Sequence, residues 1–312
     1  MPVAELPPAD DFFEGLRRVQ PDACILDCKF SRDVAAEATV RPTVPLPLQK
    51  IDGFFGSHVC DGPCSRQCSE ALVSYLRYED RGLKELEVAT RGQAANTFWH
   101  QARVGLLTAS NFRLFCHCRD GAHTATSLLQ KQDFNPNVLP PPIAYGRKHE
   151  ETARQMFIKG HKYRHRNCSV TVPGLIVSSS CPFLGCSPDG LVTCKFCGDF
   201  LIEIKCLWSY RNFHPKTAAV MSGICDKTSD GELAMNFNHK HYYQIQGQMA
   251  VTGIHKSFLV IFTNKGVASV TVPFDVTFWD SRCSELTAFY HEHMYIALQA
   301  RYRTAHDTSL VT

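Results

Sequence analysis

The sequence predicts a mixed α/β protein, in which a domain with a central β-sheet flanked by helices follows an N-terminal helical extension. Three observations predict this organisation. The chain has 312 residues, which is enough for one large domain with an extension. Up to about Gly160 apolar residues recur at helical spacing, whereas beyond it short runs rich in Val, Ile and Leu are separated by turn residues. No internal repeat divides the chain. We place the extension at residues 1–90 and the domain at residues 91–305.

The first half of the chain is predicted to be mainly helical. Up to about residue 50 it is rich in proline, and PTVPLPLQK predicts an extended linker because proline lacks a donor and restricts its predecessor. A helix is predicted from Ser65, with Gly82 placed to end it, followed by a helix over 94–104 and a third from about Ser110. The run AYGRKHEETARQMFIKG predicts a long amphipathic helix that Gly160 should end.

The second half of the chain alternates between strand and helix patterns. Three successive strands are predicted in SVTVPGLIVSS, LGCSPDGLVTC and DFLIEIKCL. HYYQIQGQMAVTG has helical spacing, and KSFLVIFT and GVASVTVPF predict two further strands. The segment from Cys283 to Tyr302 is amphipathic again. The predicted order is therefore a helix, three strands, a helix, two strands and a final helix.

Composition excludes several classes of protein. With 44% hydrophobic and 20% charged residues, the chain is neither a fibre nor a disordered tail. No window approaches eighteen apolar residues, and acids stand where a signal peptide needs a basic region, so we expect neither a membrane partner nor secretion. We expect an intracellular, reducing compartment, the nucleus if the source is eukaryotic. The net charge of +3 permits contact with nucleic acid without demanding it.

Fifteen cysteines, an odd number, are expected to be mostly reduced. Three groups have spacings that could supply ligands to a structural Zn²⁺, namely Cys116 with Cys118, Cys194 with Cys197, and the series Cys60, Cys64 and Cys68. Structural zinc needs four ligands in converging geometry. None of these groups supplies four, so the sequence does not favour zinc at any of them.

Two carboxylates and a lysine lie close together in the predicted strands. Asp189 stands in Ser-Pro-Asp-Gly, and fourteen residues later a strand carries Glu203 and Lys205, which alternation sends to the same face. A carboxylate pair at the end of a sheet is how proteins hold Mg²⁺. Alternatively, Asp189 is a turn residue and the other two form a solvated ion pair. The apolar neighbours in FLIEIKCL favour the first interpretation, because charges in a strand buried on both faces need a reason.

This arrangement resembles the PD-(D/E)xK nuclease superfamily and, more closely, its lambda-exonuclease and YqaJ-like viral recombinase branch. The resemblance spans roughly residues 99–255. The matching blocks are Trp99-x3-Arg103-x3-Leu107-Thr108-Ala109-Ser110, Gly146-x3-Glu150-x2-Ala153-Arg154, Cys186-Ser187-Pro188-Asp189-Gly190-Leu191, Glu203-x-Lys205-Cys206 with Arg211, and Tyr243-Gln244-Ile245-Gln246. It implies a restriction-endonuclease-like core with a central mixed β-sheet flanked by helices.

The resemblance also implies roles for particular residues. The metal ligands would be Glu150, Asp189, Glu203 and the backbone carbonyl of Ile204. Lys205 would be the catalytic lysine, and Gln244 would lie close to the metal and the scissile phosphate. Glu151 competes with Glu150, but adjacent helical residues point about 100° apart, so only one can face the site.

The same resemblance implies DNA contacts. Arg103, Ser110 and Ser187 would bind a terminal 5′-phosphate, and an arginine fork with hydroxyl donors is chemically suited to that task. Arg211 and Gln246 would be further contacts to the DNA. Two simpler alternatives stay open, because Ser110 could merely cap a helix and Gln244 could merely be polar helix surface. Basic residues are also dense around Glu150, at Arg147, Lys148, Arg154, Lys159, Lys162, Arg164 and Arg166.

The function implied is a Mg²⁺-dependent deoxyribonuclease, with Mn²⁺ as a substitute metal. It would act as a 5′ to 3′ exonuclease on double-stranded DNA ends in recombination or repair. A catalytically silent DNA-end-binding module is the alternative, and a zinc-bearing interaction protein is a third, resting on the cysteines alone. Expected partners besides DNA are a single-strand annealing protein and further copies of the chain in a homo-oligomer.

Overall fold

A computed structural model describes residues 42–58, 66–133, 139–165 and 167–307. Residues 1–41, together with Cys60, Cys64 and Arg166, lie outside these residues. Within the four described ranges, no helix is both long enough and apolar enough to cross a bilayer.

The described residues form eleven α-helices and ten β-strands. The helices are α1 (Pro47–Ser57), α2 (Arg66–Tyr75), α3 (Asp80–Ala89), α4 (Thr97–Ala102), α5 (Phe112–Cys116), α6 (Gly121–Asp133), α7 (Pro141–Arg164), α8 (Pro215–Met221), α9 (Lys240–Thr252), α10 (Val276–Phe289) and α11 (Tyr295–Asp307). The strands are β1 (Leu107–Thr108), β2 (Cys168–Thr171), β3 (Ile176–Val177), β4 (Leu184–Cys186), β5 (Gly190–Cys194), β6 (Phe200–Cys206), β7 (Cys225–Lys227), β8 (Leu233–Met235), β9 (Lys256–Thr263) and β10 (Gly266–Pro273).

Five strands form the central sheet, in the order β10-β9-β6-β5-β2. The pairing of β6 with β9 is parallel, and the other three pairings are antiparallel. A smaller sheet has the order β1-β4-β3, and β7 pairs with β8. The predicted fold class, an α/β domain with a central mixed sheet, is therefore confirmed.

Helices cover both faces of the central sheet. On one face Phe157 of α7 packs with Ile202 of β6, and on the other Ile245 of α9 packs with Leu201. Successive residues of β6 thus point alternately toward α7 and α9, as the period of two in a strand requires. Odd-numbered positions of β6, including Glu203 and Lys205, consequently face α9.

The N-terminal helices pack into a second apolar core. Ile51 of α1, Leu72 of α2 and Leu298 of α11 belong to one cluster of buried residues. The C-terminal helices reach this cluster through a continuous helical stretch, in which a π-helical turn (Tyr290–Met294) joins α10 to α11. The predicted boundary near residue 90 stays a prediction.

Several predicted elements have different bounds. The prediction of an extended linker was wrong at its C-terminal end, because α1 begins at Pro47. Proline is tolerated in a first helical turn, where its missing N–H needs no partner. The helix from Ser65 ends at Tyr75 instead of Gly82. Gly82 lies in the first turn of α3, where a Cβ atom would come within 3.3 Å of Val44. It is therefore a site of close packing, not a helix end.

Two further helices are shorter or longer than predicted. The helix over 94–104 is reduced to α4, which Asn96 caps by accepting a hydrogen bond of 2.8 Å from the N–H of Phe98. Gly160 does not end α7, which continues to Arg164. Glycine inside a helix costs only about 1 kcal/mol, so neighbouring packing can carry a helix through it.

Two of the three predicted strands are each divided. Pro173 and Gly174 separate β2 from β3, and Pro188 and Asp189 separate β4 from β5. Proline has no N–H to donate to a ladder, so strand pairing stops at both places. The second interruption leaves Asp189 directly before β5, where its side chain accepts a hydrogen bond from the neighbouring strand.

Candidate functional site

The carboxylate of Glu203 is almost completely buried, with only 1% of the residue exposed. Lys205 forms an ion pair with its Oε1, and the amide of Gln244 donates to the same oxygen over 2.6 Å. The amide of Gln248 donates to Oε2 over 2.7 Å. Both oxygens therefore have hydrogen-bond partners. The two glutamines of α9, which covers this face of the sheet, fix the orientation of the carboxylate.

Asp189 lies at the point where the pairing of β5 with β6 ends. The last paired residues are Gly190 and Ile202, and the next inward-pointing N–H of β6, that of Ile204, donates instead to Oδ2 of Asp189 over 2.6 Å. In an extended strand the N–H and C=O of one residue point to the same side. The carbonyl oxygen of Ile204 therefore points to the side of the strand on which the Asp189 carboxylate lies.

Arg154 links α7 to this turn. Its guanidinium is buried, donates to Oε1 of Glu150 over 2.7 Å and also binds Glu151. Its Nε donates to the backbone carbonyl of Asp189 over 2.7 Å. The side chain of Glu150 is 37% exposed and that of Glu151 is 54% exposed. Arg154, which the sequence singled out only within a motif and a run of basic residues, thus holds the two acids of α7 beside Asp189.

The electrostatics reflect crowded acids. Burial raises the pKa of Asp189 well above its ordinary range, and the nearby charges of Glu203 and Glu150 raise it further. Burial also raises the pKa of Glu150, against the opposing effect of Arg154. For Lys205 burial acts to lower the pKa, but the carboxylates of Glu203 and Asp189 outweigh it and raise the pKa. The acids are thus only partly neutralised by the protein's own cations.

A cavity of about 180 Å³ opens beside these groups. Seven of the predicted site residues line it, namely Arg103, Ser110, Ser187, Asp189, Glu203, Lys205 and Gln244. Gln248, which the sequence analysis did not select, lines it as well. Strands β4 and β6, helix α9 and the segment around β1 therefore bring together residues that are distant in sequence.

Arg103 is a buried cation at the edge of this cavity. Its guanidinium lies 4.0 Å from the centre of the Trp99 ring, and the indole N–H of Trp99 donates to the hydroxyl of Ser187 over 2.8 Å. Burial lowers the pKa of Arg103 to about 10. Among the described residues no carboxylate forms an ion pair with it. An anion that entered the cavity would therefore supply the negative counter-charge that the described residues do not place beside Arg103.

The simpler alternatives for Ser110 and Gln244 do not match the structure. Ser110 is exposed and lies in the middle of a 3₁₀ turn (Ala109–Asn111), and the residue at the cap position of α5 is Asn111. Gln244 donates to Glu203 and is therefore not free surface. Both residues face the cavity.

Four predicted residues lie outside the cavity lining, and one of them, Ile204, was expected to contribute only its backbone carbonyl. Glu150 forms an ion pair with Arg154 instead. Arg211 stacks on Trp208, with 3.8 Å between guanidinium carbon and ring centre, and donates to the Trp208 carbonyl. Gln246 is fully buried, donates to the carbonyl of Pro273 and accepts from the N–H of Asp275.

The prediction that Gln246 contacts DNA is therefore corrected. A helix turns about 100° per residue, so a position two residues from Gln244 points to the opposite side, and a position four residues away returns to the same side. Gln248 satisfies that spacing. Helical periodicity applied to HYYQIQGQ could have identified it from the sequence.

The fold and the site define a class of protein. Carboxylates and a lysine lie on adjacent strands of a mixed sheet, beside an acidic residue on the preceding helix, as the resemblance to the PD-(D/E)xK nucleases implied. The model of the YqaJ-like viral recombinase domain matches residues 98–255, half of the sequence. The chain belongs to this family, and the resemblance deduced from the five sequence blocks is confirmed.

A solved structure shows a similar fold. An alkaline exonuclease of Laribacter hongkongensis, crystallised in complex with dAMP, aligns with a TM-score of 0.50 at 23% identity, covering 68% of this chain and 97% of that one. The shutoff and exonuclease protein of Kaposi's sarcoma associated herpesvirus aligns with a TM-score of 0.48 at 12% identity, covering 96% of both chains. No curated protein matches the sequence.

Proposed function

We propose that the protein is a Mg²⁺-dependent deoxyribonuclease that degrades double-stranded DNA from its 5′ ends in recombination or repair, with Mn²⁺ able to substitute. One observation carries the proposal. A single cavity is lined by the acids and lysine at Asp189, Glu203 and Lys205 and also by the cation and hydroxyls at Arg103, Ser110 and Ser187. The first set suits a metal and a scissile phosphate, and the second suits a phosphate terminus.

The donor set fits a hard divalent cation. Asp189 and Glu203 offer carboxylate oxygens, the Ile204 carbonyl points to the same side as Asp189, and Glu150 is adjacent. Mg²⁺ prefers such oxygen ligands and retains several waters. The raised pKa of Asp189, caused by burial and by neighbouring acids, identifies negative charge that a cation would compensate. When bound, the ion would polarise the phosphate and activate a water molecule as nucleophile.

The protein's own residues would position and stabilise the reacting groups. Lys205 is held against Glu203 with a raised pKa, so it stays charged and can offset negative charge that develops on the phosphate. Gln244 and Gln248 fix both oxygens of Glu203, so that the carboxylate need not reorganise during the reaction. Arg154 keeps Glu150 beside the turn that carries Asp189.

The lining of the cavity supports action at an end. Arg103, Ser110 and Ser187 lie in the same cavity as the acids. A strand whose terminal phosphate occupied the cavity would be held there by the guanidinium of Arg103, which can bind both oxygens of a phosphate. The proposal also includes a single-strand annealing partner and a homo-oligomer.

The experiment uses duplex DNA labelled at one end, with and without a 5′-phosphate, in Mg²⁺, Ca²⁺ or chelator. We expect progressive shortening from phosphorylated 5′ ends in Mg²⁺ and none in chelator. Efficient cutting of closed circular DNA would instead indicate an endonuclease. Binding to DNA ends without cleavage in Mg²⁺ or Mn²⁺ would indicate the silent end-binding module.

A further inference from the structure

A second cluster of ligating side chains lies away from the cavity, where the end of α7 meets the hairpin between β5 and β6. His161 and His165 extend from the helix, and Cys194 and Cys197 extend from the hairpin. One ligand atom from each residue lies within 4.8 Å of all the others. From the sequence alone, only the cysteine pair was a candidate for binding zinc, and it supplies two ligands.

Local structure explains why the four residues converge. His161 and His165 are four positions apart in α7 and its C-terminal cap, so their rings lie on one face, with centres 4.6 Å apart and planes only 9° from parallel. Cys194-Lys195-Phe196-Cys197 forms the tight turn after β5, which Gly198 closes with a φ of +73°. The N–H of Gly198 donates to the Cys194 carbonyl over 3.0 Å.

The polar atoms of the cluster are poorly satisfied by the protein alone. Nδ1 of His165 is buried and, within the described ranges, has no hydrogen-bond partner. His161 Nε2 has only a 3.5 Å contact with the sulfur of Cys197. The backbone N–H groups of Phe196 and Cys197 point to the sulfur of Cys194, which suits a thiolate. A buried imidazole nitrogen without a partner, in a histidine that belongs to a group with two thiols, is the arrangement that a bound cation would complete.

We propose that His161, His165, Cys194 and Cys197 bind one structural Zn²⁺. Two thiolates and two imidazoles are a common ligand set for tetrahedral zinc. Bond lengths of about 2.3 Å to sulfur and 2.0 to 2.1 Å to nitrogen place such ligand atoms roughly 3.3 to 3.8 Å apart. The observed spread of up to 4.8 Å closes to that value with small side-chain rotations.

Two lysines lie beside the cluster, Lys162 near Cys168 and Lys256 near Cys197. Cys168 itself pairs with Cys194 across the sheet and makes a hydrogen bond to its sulfur. We assign Cys168 as a neighbour that supports Cys194, because its sulfur lies outside the group of four.

The position of the cluster indicates what the zinc would do. Four protein ligands leave no open coordination position, which is the property of structural rather than catalytic zinc. His161 is eleven residues beyond Glu150 in α7, about 16 Å along the helix at 1.5 Å per residue. The ion would fasten one end of α7 to the hairpin of β5 and β6, while the other ends of the same elements carry Glu150, Asp189 and Glu203.

The test is metal analysis of the full chain purified without chelators or a histidine tag, from cells grown with added zinc. We expect the wild type to carry one more zinc per chain than the variant Cys194→Ser with Cys197→Ser. Replacing zinc by Co²⁺ should give the visible spectrum of a tetrahedral site with thiolate ligands, and this spectrum should be lost in the variant. Cys118→Ser is the matched control, because its sulfur only donates to the Phe115 carbonyl, and it should keep the zinc.

Two additional variants keep the result decisive if the double variant misfolds. His165→Ala leaves every cysteine in place and should also lose the zinc while keeping the circular dichroism of the wild type. Cys168→Ser should retain it. Equal zinc content in the wild type and in the His165 and double variants would overturn the proposal, since any zinc would then belong elsewhere. The wild type could instead contain no zinc, with Cys194 protected from alkylation until a reductant is added. That result would overturn the proposal and indicate a disulfide in place of the metal site.

Discussion

Replacing Arg103 with alanine tests whether the cavity recognises a terminal phosphate. Arg103 lies between the Trp99 ring and the cavity, and no carboxylate among the described residues forms an ion pair with it. Its nearest polar side-chain contact is a weak one of 3.5 Å to the hydroxyl of Thr108. The guanidinium therefore keeps most of its hydrogen-bonding capacity for a ligand.

The expected magnitude follows from two independent considerations. Burial lowers the pKa of Arg103 to about 10. A tenfold change in an acid constant corresponds to about 1.4 kcal/mol, so burial costs the charged form roughly 3 kcal/mol, part of which a phosphate dianion would recover. A charge-assisted hydrogen bond contributes about 1.5 to 3 kcal/mol. Both considerations predict that Arg103→Ala lowers kcat/KM on phosphorylated ends by roughly ten- to a hundredfold.

The assay measures kcat/KM on duplexes that differ only in the presence of a 5′-phosphate. The wild type should prefer the phosphorylated end, and Arg103→Ala should lose most of that preference, with a much smaller effect on hydroxyl ends. Arg81→Ala is the matched control, because Arg81 is 88% exposed and its removal changes the net charge by the same amount. Equal losses on both kinds of end would show that Arg103 supports the fold or general binding, and a wild type indifferent to the phosphate would refute the pocket.

Three further predictions concern the acids and the lysine. Lys205→Ala should lower kcat by about 10²- to 10³-fold while circular dichroism stays unchanged and DNA binding survives, and near wild-type turnover would mean that the site is misassigned. Glu150→Gln should reduce activity more than Glu151→Gln in parallel kinetics, because Glu150 is the one that interacts with Glu203 and Lys205, and the reverse order would contradict this assignment. Because the folded-state pKa of Asp189 is raised by burial and neighbouring acids, stability in chelator should fall as pH rises above its ordinary value of 3.8. The rise in Tm on adding Mg²⁺ should then grow with pH in the wild type and be absent from Asp189→Asn, as thermal unfolding with and without metal would show.

The parts of the site that local sequence rules define were predictable. Alternation along a strand places Glu203 and Lys205 on one face. Ser-Pro-Asp-Gly interrupts a strand, and there the Asp189 carboxylate accepts a hydrogen bond from the backbone of the neighbouring strand. Strands β9 and β10 were also recognisable, because β9 is a continuous apolar run rich in β-branched and aromatic residues and β10 alternates with a period of two.

Elements without strong periodicity were not predicted. Helix α6 has an apolar face too weak to stand out, and Ala125 and Leu129 become buried only because the C-terminal helices cover them. Strands β7 and β8 have three residues each, too few for a periodic signal. In such segments tertiary packing decides the structure, and a single sequence does not contain the position of the covering element.

Convergence across long sequence separations was also beyond local rules. His161 and Cys194 are more than thirty residues apart, and they meet because α7 runs past Gly160, where the sequence predicted a stop. A helix that ended at Gly160 would have left both histidines in a loop. The missed continuation of α7 therefore concealed the proposed zinc site, although both C-x2-C and H-x3-H are visible in the sequence.

One side of the cavity carries the positive charge of Arg103, which is unpaired among the described residues, and the other side carries an excess of acidic groups around Asp189. Burial disfavours the charged form of Arg103 and lowers its pKa, while burial and crowding disfavour the charged form of Asp189 and raise its pKa. Both residues line the same cavity, yet neither compensates the other through an ion pair in the described chain. A cation at the acids and a phosphate at the arginine would relieve both costs together. We therefore infer that metal and phosphorylated DNA end bind cooperatively, and that Mg²⁺ or Ca²⁺ should tighten binding of a 5′-phosphorylated duplex more than of a hydroxyl one. Identical tightening of the two duplexes in an equilibrium titration would show that the two halves of the cavity act independently.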